Sequence, residues 1–315
     1  MLKQFADYVT YTLLKLEPAS HIGDALNFFI YDTIKIFLLL TTIVFVVAII
    51  RAHFPPEKTK RILTHKKEII GNMLAALLGI VTPFCSCSAV PLFIGFVEAG
   101  VPLGVTFSFL ISSPMVNEVA LIMLWGLFGW KIALIYAGTG VALAILAGIV
   151  IGKLGMEKYV QDYVWEMQVG EMEVAQTSFQ DKLVYARDYT KDLLKKLLPY
   201  VVLGIGLGAI VHGYIPTDLV VKYAGPGNPF AVPVAVLIGV PLYSNAAGMI
   251  PVVQALVGKG MAMGTVLAFM MSVTAISFPE AVILKNVLKM PLIVTFFSIV
   301  AVGIIIVGYL FNGML

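Results

Sequence analysis

The chain has 315 residues, of which 60% are hydrophobic and 12% charged, with a mean hydropathy of +0.96. Soluble domains carry about 25% charged residues, so a water-soluble globular core is excluded and an integral membrane protein is implied. The net charge of +3 is too small to define a nucleic-acid surface, and two cysteines cannot build a disulfide framework.

In chain order, residues 1–20 lack the basic start and unbroken apolar run of a cleavable signal, and 1–26 reads as an amphipathic helix in the membrane interface. A bilayer-crossing helix needs about 20 apolar residues. Full-length runs occupy 27–50, 131–152, 197–214 and 290–313. The remaining apolar segments are interrupted. Residues 68–99 break at Pro83 and the cysteines, and 103–128 at "SSPMVNE" (112–118). Residues 229–258 break at "YSNAAG" (243–248), and 261–288 at "SVTAISFPE" (272–280). Interrupted helices in matching places of two halves are the plan of secondary transporters.

Basic loops orient the chain. Arg51, Lys58, Lys60, Arg61, Lys66 and Lys67 place the loop 51–67 in the cytoplasm, and the polar stretch 154–196, with eight acidic and six basic residues, belongs on the same side. The expected organisation is an interfacial helix (1–26), a first membrane repeat (27–153), a cytoplasmic linker (154–196) and a second membrane repeat (197–315) of opposite orientation. The fold class is therefore an all-α polytopic membrane protein of two inverted-topology repeats with broken or re-entrant hairpins, with about 8–10 membrane segments.

An internal repeat carries this expectation. "PLFIGFVEAGVPLGVTFSFLISSP" (91–114) lies over "PVVQALVGKGMAMGTVLAFMMSVT" (251–274), pairing Pro91 with Pro251, Gly100 with Gly260, Gly104 with Gly264 and Ser112 with Ser272 at a spacing of 160. Beyond that block, Pro83 and Ser86 pair with Pro241 and Ser244 at 158, and Glu118 with Glu280 at 162.

Irregular backbone survives at membrane depth only where protein or a water-filled cavity covers it, so the four breaks should meet in the interior. Cys85 and Cys87, flanked by Ser86 and Ser88, would make a soft site suited to trivalent arsenic, monovalent copper or sulfur electrophiles. Small residues that let helices pack closely are the alternative reading. Ser112, Ser113, Asn117, Ser244, Asn245 and Thr274 would complete a polar, solute-binding lining. Glu118 and Glu280 are ionisable groups inside apolar segments, expected either to couple transport to protons or to cap the helices that follow. There is no G-x-x-x-x-G-K-[ST], no H-E-x-x-H and no C-x-x-C, so no enzyme, cofactor or metal centre is expected.

At "TPFCSCSAVPLFIGFVEAGVPLGVTFSFLISSPMVNEVAL" the chain resembles the predicted-permease family that includes the organoarsenical efflux permease ArsP and the YraQ-like permeases. The resemblance extends to the central linker and to "SNAAGMIPVVQALVGKGMAMG" in the second half. It implies a permease in a prokaryotic cytoplasmic membrane. ArsP-type members are implied to export trivalent organoarsenicals, with the family's thiol motif falling on Cys85 and Cys87. This sequence has no third cysteine, so a three-thiol arsenic site within one chain is ruled out, and small sulfur compounds stay open as solutes. The expected partners are membrane lipid, a small solute and protons, with a homo-oligomer left open and no nucleic acid. A channel, a subunit of a larger transport complex and, weakest, a membrane thiol redox enzyme are the alternatives.

Overall fold

Long apolar runs without two-residue alternation, in which every backbone group must be met within its own segment, select helix. The computed structural model describes residues 2–17, 20–53, 68–81, 86–98, 100–162, 164, 179–214, 221, 223–225, 228–242, 246–285 and 287–314. Among these residues the regular structure is helical, apart from one isolated antiparallel bridge between Val160 and Leu288. Pro83, Cys85, Ser244, Asn245, the loop 54–67 and much of the linker lie outside the described residues.

Helix α1 (Leu2–Asp7) continues into a π-helical turn at Tyr8–Leu13. It is pinned to α2 (His21–His53) where Asn27 donates to Asp7 at 2.9 Å and Tyr11 donates to Asp24 at 3.1 Å. Ser20 caps α2, its hydroxyl accepting from Gly23 N–H at 3.1 Å. The outer face of this N-terminal segment exposes Leu2, Phe5, Tyr8, Leu13 and Leu14.

The first half continues through α3 (Glu68–Val81), α4 (Ser86–Glu98), α5 (Leu103–Met115), α6 (Glu118–Phe128) and α7 (Trp130–Lys153). The second half consists of α8 (Phe179–Tyr214), α9 (Ala231–Gly239), α10 (Ala246–Gly258), α11 (Met263–Ala275), α12 (Phe278–Leu284) and α13 (Met290–Met314). Helix α8 carries Pro199 within it and runs unbroken through residues 196 and 197, where the linker was expected to give way to a span. Among the described residues, three helical stretches are long and apolar enough to cross a membrane: α7, α11 with α12, and α13. Helices α5 and α6 together make a fourth, bent by 43°.

The core sits on α5 and α11. Every residue of α5 is buried, as are Gly264 to Ala275 of α11, and the two helices touch. Helix α5 is sheathed by α3, α4 and α7, and α11 by α9, α10 and α13. Helices α7 and α13 lie outside, turning Leu134, Leu146, Val294, Val302 and Ile306 outward. Helices α2 and α8 pack along each other.

Small residues set how closely the sheath approaches. A Cβ on Gly148 of α7 would come within 2.5 Å of the Gly104 carbonyl of α5, and one on Gly308 of α13 within 2.8 Å of Ala268 of α11. Beside Gly148, Ser108 donates to Asn72 at 2.7 Å and to the Ala144 carbonyl at 3.1 Å, so a fully buried polar pair is satisfied inside the helix cluster.

The two halves share one register. Helices α5 and α11 start 160 positions apart, as do α6 and α12, and α7 and α13. The turns before α5 and α11 use Gly100 (φ 72°) and Gly260 (φ 82°), a backbone region open to glycine. Gly79 abuts Ser112, and Gly239 abuts Ser272. The spacing of 162 expected between Glu118 and Glu280 is corrected by this register, whereas the spacing of 158 expected for Pro83 and Ser86 against Pro241 and Ser244 falls on Pro83 and Ser244, outside the described residues. Glu118 therefore matches Phe278, and Glu280 matches Ala120.

After α7 the chain turns back on the second half. Gln161 N–H donates to the Val287 carbonyl at 2.8 Å, Lys289 N–H donates to the Tyr159 carbonyl at 2.7 Å, and Lys289 pairs with Asp162 at 3.1 Å. The start of the linker is thereby fixed to the turn between α12 and α13.

Candidate functional site at two helix breaks

The break between α5 and α6 follows from Pro114 and Asn117. Proline in the last turn of α5 removes a backbone donor. Val116 then leaves helical geometry, its N–H donating to the Ser112 carbonyl at 2.8 Å. Asn117 is extended, and its side-chain oxygen accepts from Ala120 N–H at 2.8 Å, capping α6.

The break between α11 and α12 repeats this plan with other residues. Ile276 N–H donates to the Ser272 carbonyl at 3.1 Å, and the extended Ser277 caps α12 by accepting from Glu280 N–H at 3.4 Å. Phe278 N–H donates to the Val240 carbonyl at 2.6 Å, which fixes the start of α12 to the end of α9.

The predicted polar residues divide into spent and unspent groups. Ser112 and Ser272 donate to the carbonyls of Phe109 and Phe269 within their own helices, at 3.3 and 2.9 Å. Thr274 donates to the Met270 and Met271 carbonyls at 3.0 and 3.2 Å. Ser113, in contrast, is fully buried, and its hydroxyl has no hydrogen-bond partner among the described residues. Glu118 is half-buried, and its Oε2 is shielded from solvent without a partner among the described residues. Glu280 is fully buried on α12. Ser86, Cys87 and Ser88 form the first turn of α4, and their side chains lie outside the described ones, as does Cys85. Among the described residues no group of three or more His, Cys, Asp or Glu could hold a metal ion.

The helices after the breaks pack crosswise. Helix α6, which opens with Glu118, packs against α10 of the other half, and α12, which carries Glu280, packs against α4, the helix of Cys87. Each carboxylate-bearing helix therefore packs against a helix of the opposite half.

Two features escaped the sequence reading. Tyr136 of α7 is fully buried and donates to the Met115 carbonyl at 2.9 Å, directly at the first break. Asn72 and Ser108 form the buried pair described above, and the only available signal was a single polar residue inside an apolar run.

Apolar helices that enclose broken helices define a polytopic membrane protein. A family model described as a predicted permease matches residues 21–313, and the chain belongs to this predicted-permease family. It is similar to the UPF0718 protein MJ0584 of Methanocaldococcus jannaschii, at 23% identity over 76% of this chain and 81% of that protein. It is also similar to a Streptococcus mutans protein named as a subunit of a two-component membrane permease complex, at 24% identity over 82% of this chain and 84% of that one. The UPF0718 protein YraQ of Escherichia coli is 24% identical over 76% of this chain and 66% of its own length. No solved structure matches the chain.

Proposed function

We propose that this permease is a secondary transporter of two inverted repeats, 27–153 and 197–315, which moves a small soft or thiol-reactive solute across a prokaryotic cytoplasmic membrane. Residues 1–26 lie in the interface, and 154–196 is the cytoplasmic linker. The reading is carried by the paired capped breaks at Asn117 and Ser277, each at the end of a core helix and each followed by a helix packed crosswise on the other half. Polar atoms buried unpaired beside such a break are costly unless a ligand or proton meets them, and among the described residues nothing pairs the Ser113 hydroxyl or Glu118 Oε2. The solute-binding set is Cys85, Ser86, Cys87, Ser88, Ser112, Ser113, Asn117, Ser244, Asn245 and Thr274, with Glu118 and Glu280 taking up and releasing protons. The thiols supply the preference for soft solutes. The breaks supply alternating access.

The test is flux into sealed proteoliposomes for a panel of trivalent organoarsenicals, small thiols and sulfur oxyanions, with wild type and a Cys85→Ser, Cys87→Ser variant. Wild type should move at least one soft solute, and the variant should lose that movement while keeping its fold. Equal flux in both proteins removes the thiol role, and no flux of any solute by wild type removes the soft-solute reading.

A second reading, that the chain is the membrane subunit of a larger permease complex, is favoured by the name of the Streptococcus mutans relative. Co-purification of a stoichiometric partner from native membranes would establish it.

A further inference from the structure

The polar stretch after α7 begins as a strap across the second half. Gly155 (φ 59°) turns the chain out of α7. After a 3-10 turn at Glu157–Tyr159 it runs antiparallel to the turn between α12 and α13, with Val160 opposite Leu288. Gln161 N–H donates to the Val287 carbonyl at 2.8 Å, and Lys289 N–H donates to the Tyr159 carbonyl at 2.7 Å. The Gln161 side chain donates to the Lys285 carbonyl at 3.5 Å. Carbonyls at the end of a helix and N–H groups at the start of the next lack helical partners, and the strap meets such groups on both sides of the turn. Val160, Val164, Val287 and Leu288 are all buried. The Lys289–Asp162 pair is exposed and adds little, so backbone bonds and apolar burial hold the strap.

The first half shows no counterpart among the described residues. In the register of 160, Val287 and Leu288 match Leu127 and Phe128, and Lys289 matches Gly129. Leu127 is exposed and Phe128 half-buried, with Trp125 and Trp130 exposed beside them. Gly129 N–H closes that turn on the Trp125 carbonyl at 3.0 Å. Tryptophans at helix ends suit a membrane interface. One turn of the pair is thus suited to lipid, whereas the other is covered by the chain itself.

Helix α12 has seven residues. A helix so short is marginal by itself, and ties to other elements set its position. At its start, Phe278 N–H donates to the Val240 carbonyl at 2.6 Å. At its far end the strap holds the turn that follows. Of these two ties, the strap is the one that leads into the polar stretch 154–196. We propose that residues 157–164 are a clamp through which this stretch controls the mobility of α12, the helix that carries Glu280. A strap drawn away bares Val287 and Leu288, leaves the Lys285 and Val287 carbonyls without these donors, and lets α12 move. That such movement serves transport rests on the permease reading; the clamp does not.

The experiment is hydrogen–deuterium exchange on the full chain in lipid nanodiscs, read at the amides of Ala281 to Lys285, with the matching amides of Leu121 to Trp125 as reference. Gln161→Pro removes both donors of residue 161, and Val160, at φ −77° and ψ 146°, already suits a following proline. It is expected to raise exchange at 281–285 about fivefold, the scale of one net hydrogen bond, and to leave 121–125 unchanged. A second variant works in the opposite direction: Val160→Cys with Leu288→Cys, in a Cys85→Ser, Cys87→Ser background. The bonds at 161 and 289 make 160 and 288 a non-hydrogen-bonded pair, in which α-carbons stand about 4.5 Å apart, within reach of a disulfide. Oxidation should lower exchange at 281–285 severalfold relative to the reduced form, again without effect at 121–125. Wild-type exchange at 281–285 in Gln161→Pro overturns the proposal. So does a disulfide that fails to form, or one that forms and leaves 281–285 unchanged. If Gln161→Pro raises exchange equally at 121–125, it has loosened the whole fold, and the disulfide variant decides. Exchange needs no solute, so a permease that moves nothing in vesicles leaves this test intact.

Discussion

Gly148→Ala is expected to lower the melting temperature of the detergent-solubilised protein, while Gly138→Ala, on the same helix, raises it. Both changes add one methyl group to α7. At Gly148 the new carbon would meet the Gly104 carbonyl at 2.5 Å and the Asn72 side-chain oxygen at 2.8 Å, besides overlapping Ser108. A backbone carbonyl cannot swing aside as a side chain can, so α5 and α7 must separate along their length. Overpacking of this kind costs about 1–3 kcal/mol, and the loss is larger where it also parts the buried Asn72–Ser108 bond. At Gly138 nothing lies within 4 Å of the new carbon. There the change only removes the entropy penalty of a helical glycine, a gain of about 0.5–1 kcal/mol. Gly308→Ala should repeat the loss in the second half, where the methyl meets Val232 at 2.5 Å and Ala268 at 2.8 Å. Association inside a membrane depends on such close approach rather than on the hydrophobic effect, so equal stability of the Gly138 and Gly148 variants would contradict this packing.

The second large effect is expected at the carboxylates. A charge carried to the bilayer centre costs about 3 kcal/mol, so a carrier that reorients only when protonated is slowed by about 150-fold in its charged form. Glutamine imitates the protonated carboxyl permanently. In vesicles with an imposed pH gradient, Glu118→Gln and Glu280→Gln should therefore each flatten the pH dependence of uptake without abolishing solute movement. The two sites differ in surroundings. Glu118 presents one shielded oxygen without a partner among the described residues, whereas Glu280 is buried entirely within the capped first turn of α12. Glu118→Gln should accordingly leave stability unchanged, and Glu280→Gln should also shift the melting temperature. Unaltered pH dependence in both variants would remove proton coupling and leave the carboxylates as helix-capping groups.

The breaks at 112–118 and 272–280 were legible because Pro114, Asn117, Ser277 and Pro279 interrupt apolar runs, and only caps and prolines do that in hydrocarbon. The spacing of 160 was legible wherever glycines and prolines fixed it. It failed at its downstream end, where like residues were matched, Glu118 with Glu280. The physical register follows the caps, Asn117 and Ser277, which share a role and not an identity. Tyr136 could not be read from its surroundings, because an aromatic residue in an apolar helix has the sequence signature of core packing. Its role depends on a carbonyl at Met115, which no pattern of side chains encodes. The crosswise packing of α6 on α10 and of α12 on α4 was likewise invisible, since it joins elements far apart in the chain.

The central claim is that one structural unit lies in the membrane twice, in opposite orientations, with a break from each copy facing the other. Pro102 and Ala262 hold the same place, at the N-caps of α5 and α11, with backbone angles of −53°, 136° and −62°, 135°. Single cysteines at these two positions, in a Cys85→Ser, Cys87→Ser background, can be labelled with a membrane-impermeant maleimide in intact cells and in inverted vesicles. The account predicts that residue 102 reacts from the cytoplasmic side and residue 262 from the outer side. Labelling of both from the same side would contradict it.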